Sequence, residues 1–127
     1  MKTLTKIASV AALALTSSVV LADTPATVEG PHGHATNVTG KVTLFRVQEQ
    51  GLELGTGADK IDAEVLVKID TKPDMVYGLR LHEASAATQE MIETLRAAYL
   101  NDKTVTIQHP VAPGKTNVKI TWVELSK

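Results

Sequence analysis

The 127-residue chain contains no cysteine. This absence excludes disulfide bonds, thiol nucleophiles, iron–sulfur ligation and cysteine-rich zinc sites. A chain of this length buries enough apolar surface to be stable without covalent cross-links. We therefore expect a single small domain whose stability rests on its apolar core.

Aromatic residues are scarce, since the chain has one Phe, one Trp and two Tyr. Proteins that bind single-stranded nucleic acids usually combine stacking aromatics with a basic face. Here 14 acidic residues slightly outnumber 13 basic ones. The composition therefore predicts no nucleic-acid partner.

Long apolar runs are absent except near the N-terminus. Lys2 and Lys6 precede an apolar stretch over residues 7–15, and small or aliphatic residues lead up to Ala22. This order predicts a cleaved signal peptide over residues 1–22, because the stretch is too short for the about 20 apolar residues that span a bilayer. The mature chain is expected in the periplasm or outside the cell, without a transmembrane segment. Loss of the two lysines leaves 11 basic against 14 acidic residues, a net charge of −3.

The segment that follows the leader has few large apolar residues and several prolines and glycines. Such a composition predicts a flexible N-terminal arm over residues 23–39. The compact domain is then expected to occupy residues 40–127.

Alternating apolar residues predict the first three strands. The pattern indicates a strand over residues 41–47, followed by strands over 64–70 and 75–82 that are joined as an antiparallel hairpin by a turn at Pro73. The residues expected to face the core of the hairpin are Val65, Val67, Ile69, Met75, Tyr77, Leu79 and Leu81.

The apolar period then lengthens to about 3.6 residues, which predicts a helix over residues 85–100. Ser85 is a suitable N-cap and Asn101 tolerates a left-handed exit from the helix. Two further strands are expected over residues 104–108 and 118–125. The order β-β-β-α-β-β predicts a mainly β domain with one helix, and specifically a five-stranded OB-type barrel.

Residues 75–109 resemble a known family. The run Met91-Ile92-Glu93-Thr94-Leu95-Arg96-Ala97-Ala98-Tyr99-Leu100, leading into Lys103-Thr104-Val105-Thr106-Ile107, is similar to the strand-helix-strand segment of the B subunits of AB5-type toxins, of the cholera and subtilase-cytotoxin types. The resemblance implies an OB-fold, a homopentameric ring with its helices around a central pore, and glycan recognition.

Three polar residues are the candidates for ligand contact. Lys68 lies on the predicted non-core face of the second strand, and Arg80 and His82 lie on the same face of the third. OB-folds bind ligands over these two strands, and the three side chains offer hydrogen-bond donors to a small molecule, an anion or a glycan. The alternative interpretation is an ordinary solvated sheet face. The loop over residues 110–117 is the next candidate site.

No catalytic residue, metal site or cofactor is expected. His32 and His34, with nearby Glu29, supply too few fixed ligands for a metal ion. Ser85 could be combined with His82 or His109, but the nucleophile-elbow sequence that usually accompanies such an arrangement is missing.

Three functions therefore remain open. The first is an exported, non-enzymatic binding protein with an OB-type fold. The second is a toxin-like B subunit that forms a closed homo-oligomeric ring, and the third is a structural or assembly partner of another cell-envelope protein.

Overall fold

A computed structural model of the chain describes residues 28–30 and 33–127. The predicted signal peptide lies outside these residues, as do residues 23–27, 31 and 32 of the predicted arm. The described part contains nine strands and one α-helix. In chain order these are β1 (Val28–Gly30), β2 (Gly33–Val47), β3 (Glu53–Leu54), β4 (Ile61–Asp62), β5 (Val65–Ile69), β6 (Lys72–Leu79), α1 (Ala86–Leu100), β7 (Thr104–Pro110), β8 (Asn117–Lys119) and β9 (Trp122–Leu125).

Six of the strands form a curled mixed sheet in the order β8-β6-β5-β2-β7-β9, which makes a half-barrel. Its neighbours are antiparallel except β6 and β8, which are parallel. Strand β1 pairs with β2, and β3 pairs with β4 in a separate hairpin. The prediction of a mainly β fold with one helix is confirmed for the described residues, whereas their strand count exceeds the five predicted.

The long strand β2 joins the two halves of the sheet. Its residues 35–41 pair with β7, and its residues 42–47 pair with β5 after an irregularity between Val42 and Leu44. The boundary predicted at Gly40 therefore lies inside a strand, and residues 33–39 belong to the sheet. The composition of this segment does not indicate a strand, because only Val38 among residues 34–39 is buried. The segment is held in the sheet by backbone pairing with β7.

The predicted hairpin is confirmed, since β5 and β6 are antiparallel neighbours. Its turn lies at Asp70 and Thr71, so Pro73 is inside β6 rather than in the turn. The predicted core residues of β5 are buried, as are Tyr77 and Leu79. Leu81 follows the end of β6 and is 46% exposed, because the chain has already left the sheet.

The outer face of β5 and β6 is covered rather than solvated. Residues 48–63, including the β3–β4 hairpin, fold over it, and Leu66 packs there against Ile61 and Ala63 with no exposed surface. Gly78 of β6 permits this approach, because a Cβ atom at that position would lie 2.7 Å from the Ala63 Cβ. Leu66, on the face predicted to point away from the core, therefore occupies a second, smaller core.

Helix α1 closes the main core. The Ser85 side chain accepts a hydrogen bond of 3.1 Å from the Thr88 backbone N–H, as expected for an N-cap, and Ile92, Leu95 and Ala98 are buried. The left-handed residue after the helix is Asp102, with φ of 54°, rather than Asn101. Within the described residues, no helix has both the length and the apolar character needed to cross a membrane.

Candidate functional site

Two of the three predicted site residues lie close together and the third does not. Arg80 and His82 follow the end of β6, and both contact Glu64, which precedes β5. Lys68 is on the same outer face of β5 but four residues further along, about 13 Å away at the usual rise per strand residue. The region around Arg80 and His82 is therefore described as one site, to which Lys68 does not belong.

Glu64 is the centre of this site. Its side chain is only 4% exposed, although strand alternation assigned it to the solvent face. One carboxylate oxygen, Oε1, accepts a hydrogen bond of 3.2 Å from the His82 backbone N–H. The other oxygen, Oε2, lies 3.3 Å from Arg80 Nε, but the angle does not meet hydrogen-bond geometry. The Arg80 and Glu64 side chains therefore form an ion pair at this point without a well-formed hydrogen bond.

Arg80 lies between two carboxylates. Its Nη1 donates a hydrogen bond of 2.7 Å to Asp62 Oδ2, while its Nε faces Glu64. The second Asp62 oxygen, Oδ1, is buried and has no protein hydrogen-bond partner. The three groups form the Asp62–Arg80–Glu64 network, which carries one positive and two negative charges. Its net negative charge weakens the interpretation of Arg80 as a free anion-binding residue.

The backbone around Glu64 fixes the position of this network. The Glu64 N–H donates to the Leu79 carbonyl and the Glu64 carbonyl accepts from the Gln48 N–H, at 3.1 and 2.8 Å. The Gln48 side-chain amide also donates to the carbonyl oxygens of Leu52 and Ala63. The carboxylate is therefore held by hydrogen bonds between segments rather than by a loop alone.

A cleft of about 410 Å³ opens beside Glu64. A smaller cleft of about 220 Å³ lies on the other side of His82 and reaches Arg80, Ser85 and Lys119. His82 contributes to both. The larger one, called the Glu64 cleft, is lined by Val47, Gln48, Glu49, Gln50, Glu64, Leu81 and His82.

The side chains of the Glu64 cleft are mainly hydrogen-bonding groups. Its two carboxylates accept hydrogen bonds, and its amides and imidazole can both donate and accept. Within residues 28–30 and 33–127, no three His, Cys, Asp or Glu side chains are grouped to hold a metal ion. His34 lies in β2, and His32 lies outside the described residues.

Comparison of the chain with protein-family models, curated proteins and solved structures finds no match. The function must therefore be argued from the site itself.

Sequence reasoning missed Asp62, Glu64 and Gln48 as members of the site. A period of two assigns Glu64 to solvent only if nothing covers that face of the sheet. The available signal was Leu66, an apolar residue at an outer position, together with Gly78 opposite it. An apolar residue next to a glycine on a supposedly wet face indicates that another segment packs there.

The remaining histidine considered for catalysis is part of the core. The His109 ring lies 5.4 Å from the Tyr77 ring, and its Nδ1 is 2.8 Å from the Pro110 carbonyl oxygen. Ser85, the nucleophile considered with it, is the helix cap. These contacts give His109 and Ser85 structural roles.

Proposed function

We propose that the chain is an exported, non-enzymatic binding protein that holds a small, neutral, hydroxyl-rich ligand of the saccharide class in the Glu64 cleft. The observation that carries the proposal is the buried Glu64 carboxylate, which lines the cleft while its Oε2 atom, facing Arg80, has no well-formed hydrogen bond. A buried, incompletely paired carboxylate is costly for a stable fold, and such groups are concentrated at functional sites.

The charge of the cleft selects among the ligand classes expected from the sequence. Glu49 and Glu64 line the cleft, and Asp62 adds a third carboxylate behind them against the single guanidinium of Arg80. An anionic ligand would meet mainly negative charge. A hydroxyl group both donates and accepts hydrogen bonds, and so suits carboxylate, amide and imidazole groups together.

Each residue has a distinct role in this proposal. Glu64 accepts hydrogen bonds from ligand hydroxyls through Oε1, because Oε2 is buried against Arg80, and the His82 side chain contacts the ligand in the same cleft. Arg80 is a positioning residue, because it lies behind Glu64 and fixes the carboxylate rather than lining the Glu64 cleft. Lys68 makes no contact with the ligand. The volume of about 410 Å³ lies within the about 300–1,000 Å³ typical of small-molecule pockets.

The experiment is a titration of isotope-labelled mature protein with neutral sugars, followed by amide chemical shifts. We expect saturable shifts in residues 47–50, 64 and 81–82. Glu64→Gln should weaken binding at least tenfold, and His82→Ala should weaken it while leaving thermal unfolding unchanged. Glu90→Gln, at an exposed position of α1, is the matched control. Binding of amino sugars without binding of their N-acetylated forms would contradict the proposal, because it would show recognition of a cation.

We also propose that the curled sheet is an OB-type barrel. The supporting observation is that β8 and β9, the two edge strands, are separated by just two residues, and that these two residues bond to β6 and to β7. The Ile120 N–H donates to the Gly78 carbonyl of β6, and the Thr121 N–H donates to the Gln108 carbonyl of β7. If β8 and β9 are one interrupted strand, and the short β1 and the β3–β4 hairpin are additions, five main strands remain, with the helix between the third and the fourth.

The second candidate function is the toxin-like ring, and the same strand order favours it. Light scattering coupled to size exclusion separates it from a monomeric binding protein. A mass of five mature chains would support the ring, whereas a monomer mass independent of concentration would eliminate it.

A further inference from the structure

A third cleft, of about 260 Å³, lies where the loop after β7 meets β4 and β8. We call it the lysine cleft. Its lining combines charged and apolar side chains. The residues that the argument uses are Lys60, Lys115, Lys119, Ile61, Ala112 and Val118.

Two of the three lysines of this cleft are available to a ligand. Lys60 forms an ion pair of 2.7 Å with Glu53. Lys115 and Lys119 form no ion pair with any acidic residue in the described part of the chain. Positive charge around the cleft therefore exceeds the negative charge of its immediate neighbours.

Asp59 directly precedes Lys60 of the cleft, but its carboxylate is already hydrogen-bonded. Its carboxylate accepts hydrogen bonds from the backbone N–H groups of Thr116 and Asn117, at 2.7 and 2.9 Å, and from both of their side chains. These bonds lower the pKa of Asp59, and the Thr116 hydroxyl contributes most. The positive charge of Lys115 also lowers this pKa, by the smallest contribution. Asp59 thus remains charged, but both of its carboxylate oxygens already accept hydrogen bonds from the loop.

The same bonds make the cleft rigid. The loop after β7 is fixed at its start by a hydrogen bond from the Val111 N–H to the His34 carbonyl, and in its middle by one from the Lys115 N–H to the Ala112 carbonyl. Asp59 fixes its end. A wall that is already ordered loses little conformational entropy when a ligand binds.

We infer that the lysine cleft binds a small organic anion, such as a carboxylate on a short apolar body. The apolar floor of Ile61, Ala112 and Val118 contacts the body, and Lys115 and Lys119 at the rim contact the charged group. An inorganic anion would leave the floor unused, and a neutral apolar molecule would leave the lysines unused. The cleft is smaller than the about 300–1,000 Å³ of most ligand pockets, which restricts the ligand to a small one.

This site is independent of the proposed saccharide site. The lysine cleft and the Glu64 cleft share no lining residue. Their ligands also differ in charge. Failure of either site in an experiment therefore leaves the other one untouched.

The test uses benzoate as the probe and amide chemical shifts of labelled mature protein as the readout. We expect saturable shifts in residues 110–119, with benzoate binding at least tenfold tighter than both benzyl alcohol, which lacks the charge, and inorganic sulfate, which lacks the apolar body. Glucose should not compete with benzoate, because neutral sugars are proposed to bind in the Glu64 cleft.

The variant Lys115→Gln/Lys119→Gln should weaken benzoate binding at least tenfold. Lys72→Gln/Lys103→Gln removes the same charge at two exposed positions outside the cleft and should leave the affinity unchanged. Equal weakening by both double variants would overturn the inference, since it would show attraction by net charge alone. Sulfate binding as tight as benzoate binding, or shifts spread over all lysines, would overturn it as well.

Discussion

Glu64 is a charged residue in an interior built almost entirely from aliphatic side chains. Burial of a carboxylate is tolerated when a partner compensates its charge, and Arg80 supplies that partner at 3.3 Å. The pairing is incomplete because the Arg80 Nε and Glu64 Oε2 atoms are poorly aligned. The stability of the fold therefore depends on how Arg80 and Glu64 are paired.

Removal of Arg80 tests this link. Arg80→Ala leaves the buried Glu64 carboxylate without its cation, so we expect a loss of about 1–3 kcal/mol in the free energy of unfolding. The lower part of this range applies if water reaches Glu64, because the Arg80 side chain is 37% exposed and solvent screens its charge. Chemical denaturation measures the loss.

Arg46→Ala is the matched control. Arg46 lies on β2, is exposed and forms no ion pair with the described residues, so its loss should be below about 0.5 kcal/mol. Equal losses for the two variants would show that Glu64 does not depend on Arg80.

Asp59 gives a second residue-scale prediction, which concerns pH. Its pKa in the folded protein is lowered from 3.8, mainly by the Thr116 hydroxyl, so the unfolded chain takes up the proton more readily than the folded one. The stabilisation from Asp59 is therefore complete above about pH 3.8 and is lost as the pH falls through the folded value. Asp59→Asn should be less stable than the wild type at pH 7, and the difference should shrink below pH 4.

Urea denaturation at a series of pH values checks this dependence. Asp74→Asn changes the same charge at an exposed position without hydrogen bonds to the described residues, and should show no such trend. A difference between wild type and Asp59→Asn that stays constant from pH 7 to pH 3 would contradict the assignment.

At the scale of elements, the β3–β4 hairpin and the neighbouring chain convert the outer face of the sheet into a second small core. Their approach depends on Gly78, where a Cβ atom would lie 2.7 Å from the Ala63 Cβ and 2.9 Å from Ile61 Cδ1. The covering segment also carries Asp62 and leads into Glu64. The same packing therefore builds the small core and positions the carboxylate that lines the Glu64 cleft.

Gly78→Ala measures how tightly the two elements meet. The added methyl group overpacks a filled interface, so we expect a loss of about 1–3 kcal/mol in the free energy of unfolding. Ala63→Gly removes one of the clashing atoms. The double variant Gly78→Ala/Ala63→Gly should therefore lose less than the sum of the two single variants, in a denaturation-based double-mutant cycle. Additive losses would mean that the hairpin moves away without resistance.

The sequence predicted correctly the elements whose apolar residues all face the main core. Val65, Val67 and Ile69 alternate against the main core, and Ile92, Leu95 and Ala98 have helical spacing against it, so both elements were found. Leu66 and Ile61 face a second core on the opposite side, which an alternation rule reads as solvent. Glu64 and Asp62 were missed as members of the candidate site for the same reason, since they belong to the segment that forms this second core.

Strand β2 shows a different limit of sequence reasoning. Residues 33–39 have little apolar content. They nevertheless belong to β2, which pairs with β7 over seven consecutive positions from Ala35 to Lys41. Backbone hydrogen bonds hold this half of the strand, and they depend on the partner strand rather than on the side chains of β2. A composition-based boundary therefore falls too late in the chain.

At the scale of the whole molecule, the two ends of the sheet are connected through one short stretch of chain. Ile120 bonds to β6 and Thr121 bonds to β7, so residues 117–125 contact both edges of the sheet. The lysine cleft includes β8 residues, and the Glu64 cleft lies beyond the start of β5. The two clefts thus differ both in position and in the charge of their lining residues.

Export is the last prediction and concerns the chain as a whole. The order of basic, apolar and small residues over residues 1–22 predicts recognition by a secretion system and cleavage after Ala22. Mass spectrometry of the protein recovered from the periplasm or medium of expressing bacteria should give an N-terminus at or within a few residues of Asp23. Leu13→Arg inserts a charge into the apolar stretch and should leave the uncleaved precursor in the cytoplasm, whereas Leu13→Ile should be exported normally. Intact Met1 on exported protein, or normal export of Leu13→Arg, would refute the signal-peptide assignment.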